Sequence, residues 1–192
     1  MRKSLFAGAA AAAILLMAGP ALAATVVPLA PFKSVGLSGG GHIVLRQGAV
    51  QSVTLLKGST QFTTFKVNPG GGLNIVACNE SCPHDYDLDI EIVLPSVEGV
   101  AIEGGGTIKA EGGFPAVRAM GVAISGGGNI DVRAVPAANV DAAVNGGGMI
   151  ETAPSGALNA AVNGGGVIVY WGNPAVHQVV SGGGAVKHAA AP

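Results

Sequence analysis

Ala123-Ile124-Ser125-Gly126-Gly127-Gly128-Asn129-Ile130-Asp131, Ala143-Val144-Asn145-Gly146-Gly147-Gly148-Met149-Ile150-Glu151 and Ala161-Val162-Asn163-Gly164-Gly165-Gly166-Val167-Ile168-Val169 are three copies of one pattern. Three looser copies surround them: Leu37-Ser38-Gly39-Gly40-Gly41-His42-Ile43, Ile102-Glu103-Gly104-Gly105-Gly106-Thr107-Ile108 and Val180-Ser181-Gly182-Gly183-Gly184-Ala185-Val186. Self-similarity at short, nearly constant spacing is the signature of a repeat architecture. A second mark of punctuation falls between copies at Pro115, Pro136, Pro154 and Pro174. Each unit therefore reads as strand, glycine turn, strand, proline turn.

The columns obey a period of two, as strands require. Leu37, Ile102, Ile124, Val144, Val162 and Val180 stand two residues before each triplet. Ile43, Ile108, Ile130, Ile150, Ile168 and Val186 stand four after its first glycine. Both columns are apolar and suit an inward face. Lys109, Asp131, Glu151, Val169 and Lys187 follow at the alternate, outward position. Ala101, Ala123, Ala143, Ala161 and Val179, three residues before the triplets, form a flat apolar stripe if they too face outward. One unit cannot bury its own apolar face, whereas stacked copies share a continuous core.

The expectation is an all-β, right-handed parallel β-solenoid, β-helix-like, of about five Gly-Gly-Gly-turn coils with an irregular N-terminal β cap. Glycine suits the stacked corners, which need positive φ and leave little room for side chains. Asn145 above Asn163, flanked by Ser125 and Ser181, is expected to form a hydrogen-bonded ladder. The competing topology is an antiparallel meander closing into a sandwich or barrel. The division expected is a signal peptide at 1–23, a β cap or first layers at 24–100, the triplet solenoid at 101–188 and a tail at 189–192, with 24–188 one continuous domain.

Residues 1–23 carry basic Arg2 and Lys3, an apolar run from Leu5 to Met17 and Ala21-Leu22-Ala23 as a small-x-small cleavage pattern. An exported protein is expected, in the periplasm, at the cell surface or secreted, with no transmembrane segment after the leader is removed. The 192 residues include 32 glycines, and 11% are charged. No basic stripe is present, so nucleic acid is not an expected partner.

Pro31-Phe32-Lys33-Ser34-Val35-Gly36, Val44-Leu45-Arg46-Gln47-Gly48, Ile90-Glu91-Ile92-Val93-Leu94-Pro95 and the serial Gly-x-Gly-x-Ile turns resemble the autotransporter adhesin "head GIN domain" family of uncharacterised bacterial envelope proteins. The likeness runs over about 31–188, although the family's usual central Ser is Gly throughout. It implies an all-β, solenoid-like fold and an adhesin-like role, and it brings no catalytic residues or cofactor.

Other candidates for chemistry are few. Cys78 and Cys82, the only cysteines, form a disulfide in an exported chain; zinc on Cys78, Cys82 and His84 is the alternative. Alternation of Asp85, Asp87, Asp89 and Glu91 places four carboxylates on one strand face, a solvated face or a calcium ligand set. Gly36-Leu37-Ser38-Gly39-Gly40 matches Gly-x-Ser-x-Gly without the helix that a nucleophile elbow needs. His42, His84, His177 and His188 occupy different repeat slots. Trp171 is a candidate for stacking on a sugar or a partner surface, packing against Gly172-Asn173-Pro174 being the alternative. The reading is an exported, non-catalytic, adhesin-like module binding an envelope or extracellular polymer or partner, polysaccharide among the classes, with no cofactor and no metal. The alternative is a self-assembling structural β-solenoid protein of the cell envelope.

Overall fold

The computed structural model describes residues 24–79 and 82–190; the signal peptide expected at 1–23 and the end of the tail lie outside the described residues. Those residues form seventeen strands and no helix. They are β1 (Thr25–Val26), β2 (Ser34–Gly39), β3 (His42–Gln47), β4 (Ser52–Lys57), β5 (Thr64–Val67) and β6 (Gly72–Val76). β7 (Asp89–Leu94), β8 (Gly99–Gly104), β9 (Thr107–Glu111), β10 (Val117–Gly126), β11 (Asn129–Asp131) and β12 (Ala137–Gly146) follow. β13 (Met149–Thr152), β14 (Pro154–Gly164), β15 (Val167–Tyr170), β16 (Ala175–Ser181) and β17 (Ala185–His188) complete the chain.

Two open, mixed sheets result, ordered β1-β4-β7-β3-β9-β11-β13-β15-β17 and β16-β14-β12-β10-β8-β2-β6-β5. From β8 onward, successive strands go alternately to one sheet and the other, and each pairs in parallel with its copy from the next repeat. This parallel pairing overturns the antiparallel meander, and the sheets do not close into a barrel. Antiparallel pairing is confined to β1, β4 and β5 at one end. Pro154 opens β14 opposite Ala137 instead of standing in a turn.

Residues before 100 enter the same stack out of chain order. β2 lies between β6 and β8, and β3 between β7 and β9, all in parallel. Leu37 therefore sits between Ile75 and Ile102, and Ile43 between Ile90 and Ile108.

The apolar columns meet between the sheets. Leu37, Ile102, Ile124, Val144 and Val162 are 1–2% exposed, and Ile43, Ile108, Ile130, Ile150 and Ile168 no more than 1%. Each contributes about 1.5–3 kcal/mol by leaving water. The last copy departs from its column: Val180 is 42% exposed because β16 and β17 have a neighbour on one side only.

At the corners, backbone stacks on backbone. Gly126 has φ +114°, and a Cβ there would lie 2.6 Å from the Gly104 carbonyl oxygen. The Gly127 amide donates to that same oxygen at 2.7 Å, and Gly147 and Gly165 repeat the bond one coil on. The ladder expected of side chains is thus carried by amides. Asn145 and Asn163 are in register, but among the described residues their side chains make no hydrogen bond to each other.

Candidate functional site

Residues one step off the core columns face outward, and in the eight-stranded sheet they are small. Register aligns Gly36, Ala101, Ala123, Ala143, Ala161 and Val179 in one row. A second row holds Ser34, Gly99, Gly121, Asp141, Asn159 and His177. With only Gly and Ala from Gly36 to Ala161 in the first row and Gly99 and Gly121 in the second, the face recedes into an open groove of about 1290 Å³. The groove runs from Gly72 and Asn74 on β6 to His177 and Val179 on β16. It crosses seven strands, about 29 Å at the usual strand spacing.

The charges lie mainly on the other sheet and are paired among themselves. Lys57 bridges Asp87 and Asp89 at 3.2 and 3.1 Å, and Arg46 bridges Glu91 and Glu111, each at 2.8 Å. Hydrogen bonding to Glu91 holds the Arg46 guanidinium above its ordinary value, and Asp89 does the same for the Lys57 ammonium. Arg133 binds both oxygens of Asp131, at 2.9 and 2.7 Å, and its amide donates to Oδ1 at 3.1 Å. Burial pushes the Asp131 carboxyl up, but the bonds from Arg133 and the charge of Lys109 outweigh it and hold the group below its ordinary value. Within the groove, Asn159 Nδ2 donates to Asp141 Oδ1 at 2.7 Å. At its flank, Ser38 Oγ donates to Glu103 at 3.2 Å. The floor is small along its Gly and Ala positions, and the carboxylates Glu103 and Asp141 line it.

This arrangement can hold an extended ligand by contact along its length, with Asn74, Asp141, Asn159 and His177 supplying hydrogen bonds. It was half visible in the sequence. The alanine stripe shows in the sequence, but the second row does not, because its members share no residue type and only register aligns them.

Cys78 and Cys82 form a disulfide, which takes both sulfurs away from the zinc alternative. The four-carboxylate strand face is corrected: β7 begins at Asp89, so Asp85, in a turn, and Asp87, in the segment after it, precede the strand. Lys57 then takes Asp87 and Asp89, Arg46 takes Glu91, and Asp85 is fully exposed beside His84. Trp171 is partly buried with the Arg133 guanidinium 4.7 Å from its ring centroid, so one face is covered by a cation the sequence reading did not foresee. His188 stacks near Tyr170 and contacts the Gly172 carbonyl at 2.8 Å, while His177 lines the groove. Among the described residues no three His, Cys, Asp or Glu side chains gather as a metal site, and no helix is long and apolar enough to cross a membrane.

Residues 115–174 match the family described as "Putative auto-transporter adhesin, head GIN domain". A "putative adhesin" from Bacteroides fragilis is similar in structure at 16% identity and TM-score 0.53, over 87% of this chain and 96% of that one. That likeness shows a shared fold. A "putative lipid binding protein" from Parabacteroides distasonis has 13% identity, TM-score 0.45 and coverage of 87% and 96%. A "putative cell adhesion protein" from Clostridium sporogenes has 10% identity, TM-score 0.41 and coverage of 88% and 99%. No protein of curated function matches the chain.

Proposed function

The chain carries a head GIN domain match over residues 115–174, and on that premise we propose an exported, non-catalytic, adhesin-like binding module. Its binding face is the small-residue groove, and its ligand an extended, uncharged polymer of the envelope or the extracellular medium, with polysaccharide the first class to try. The observation that carries this reading is the division of labour between the sheets. One outer face holds self-paired charges, while the other presents a small-residue trough about 29 Å long, lined by the carboxylates Glu103 and Asp141. A concave face that sets a row of small apolar residues beside a row of hydrogen-bonding ones suits ligand binding. Its openness favours a long chain lying across the strands over an enclosed small molecule.

The scaffold we read as a right-handed parallel β-solenoid. Alternation of strands between two sheets and triplets in register support the solenoid, and the handedness of parallel crossovers supports the hand. The alanine-rich leader supports export.

Co-sedimentation with isolated envelope and polysaccharide fractions tests the function. The protein should pellet with one fraction and remain in solution alone. Ala123→Arg and Ala161→Arg, which fill the floor at exposed positions, should each reduce that binding by tenfold or more. Undiminished binding by both variants would remove the groove from the account.

A further inference from the structure

The outer face of the eight-stranded sheet carries a third row. Register places Ser38, Glu103, Ser125, Asn145, Asn163 and Ser181 one step beyond the Gly and Ala floor, on the side away from Ser34 and Asp141. The floor is thus flanked by two polar rows four residues apart along each strand, about 13 Å. Among the described residues Asn145 and Asn163 make no side-chain hydrogen bond, so each offers a free amide donor and acceptor, one coil apart. An acyl chain laid on the floor would cover those amides without replacing their water, which is costly. Glycan hydroxyls both donate and accept, and the C–H faces of sugar rings suit a floor of alanines. The step between coils, about 4.8 Å, is close to the length of one sugar ring in an extended chain.

The groove carries carboxylates with no lysine or arginine to answer them. Glu103 and Asp141 line it, His177 stands at its β16 end, and among the described lining residues none is Lys or Arg. Lys66 on β5, in line with the floor, is three strands away from β8. The two carboxylates stand in opposite rows and two strands apart, about 10 Å along the groove and about 13 Å across it. Ser38 Oγ donates to Glu103 at 3.2 Å and Asn159 Nδ2 to Asp141 at 2.7 Å, so each is tied to its own wall. They are too far apart to converge on one ammonium group. A chain lying on the floor passes about 7 Å from both, inside the Debye length of about 8 Å at physiological ionic strength. We infer that the groove takes a neutral glycan and that Glu103 and Asp141 are its charge filter, shutting out glycans that carry carboxylates or sulfates. This rests on the groove being the binding face, and adds the class of polymer admitted and the residues that set it.

Affinity electrophoresis of the purified protein tests the filter with two celluloses of one backbone. Hydroxyethyl cellulose is the neutral probe and carboxymethyl cellulose the acidic one, each run against a polymer-free gel. In dilute buffer the parent should be retarded by the neutral probe and bind the acidic one at least tenfold more weakly, a gap that added salt narrows. Glu103→Gln combined with Asp141→Asn should bring the two probes within twofold and leave the neutral affinity within twofold of the parent's. Both positions are exposed, so far-UV circular dichroism should match the parent. Equal binding of the two probes by the parent, a gap that salt leaves unchanged, a double variant that still rejects the acidic probe, or capture by phosphatidylcholine vesicles in place of cellulose would each overturn the inference alone. No retardation by hydroxyethyl cellulose overturns it too, with the envelope co-sedimentation still deciding the groove. Retardation that survives Ala123→Arg overturns the groove as the binding face, and the filter with it.

Discussion

Replacing Gly126 by Ala tests the stacking of the triplets directly. The residue holds φ +114°, and its Cβ would lie 2.6 Å from the Gly104 carbonyl oxygen and 3.2 Å from the Gly104 Cα. The left-handed backbone costs an alanine about 1 kcal/mol. Relieving the contact requires a backbone shift of about 1–3 kcal/mol, since the obstacle is main chain and cannot turn aside. That shift also stretches the 2.7 Å bond from the Gly127 amide to the same oxygen, worth about 1 kcal/mol. The sum is about 3–5 kcal/mol, a large share of the 5–15 kcal/mol typical of a domain. In a chain of this length it lowers the melting temperature by roughly 10 °C. Gly127→Ala is the control. A Cβ there finds only the Gly104 oxygen, at 3.8 Å, and the backbone needs no positive φ. Its effect should stay within about 0.5 kcal/mol. Thermal and urea denaturation followed by far-UV circular dichroism read both variants. A Gly126→Ala protein as stable as the parent would refute the reasoning, as would two substitutions of equal cost.

The remaining predictions concern the charged face and the cross-link. Asp131 is buried and its carboxyl is held below its ordinary value, chiefly by Arg133, so the stabilisation is present above the unfolded group's pKa of about 4 and fades as pH falls through the lower folded value. Asp131→Asn should cost about 2 kcal/mol at neutral pH and flatten the stability profile below about pH 4, as urea titrations across pH will show. Replacing Cys78 and Cys82 together by Ser should cost about 2 kcal/mol and leave the circular dichroism spectrum of the repeat strands unchanged, because the loop lies outside β6 and β7.

The inward columns were legible because a strand has a strict period of two, and the buried Ile and Val positions fall where alternation put them. The glycine corners were legible because positive φ and close backbone approach exclude other residues, as Gly126 shows. The carboxylate run from Asp85 to Glu91 misled: alternation begins in the sequence before the strand does, and nothing local marks Asp89 as its first residue. Val180 misled for another reason. Its column position is inward, but burial needs a neighbouring coil and it stands in the last one.

The repeat by itself determined the strands, the turns and the inward faces of residues 101–188, because these follow from short-range geometry. Only the tertiary structure placed β2 between β6 and β8 and β3 between β7 and β9, strands that follow them in the chain, aligned Ser34, Gly99, Gly121, Asp141, Asn159 and His177 into the second wall of the groove, and set Arg133 over Trp171. Those outcomes depend on which strand pairs with which, and hydrogen bonds between strands are blind to separation along the chain. Local pattern specifies a surface, and register across the sheet decides what that surface meets.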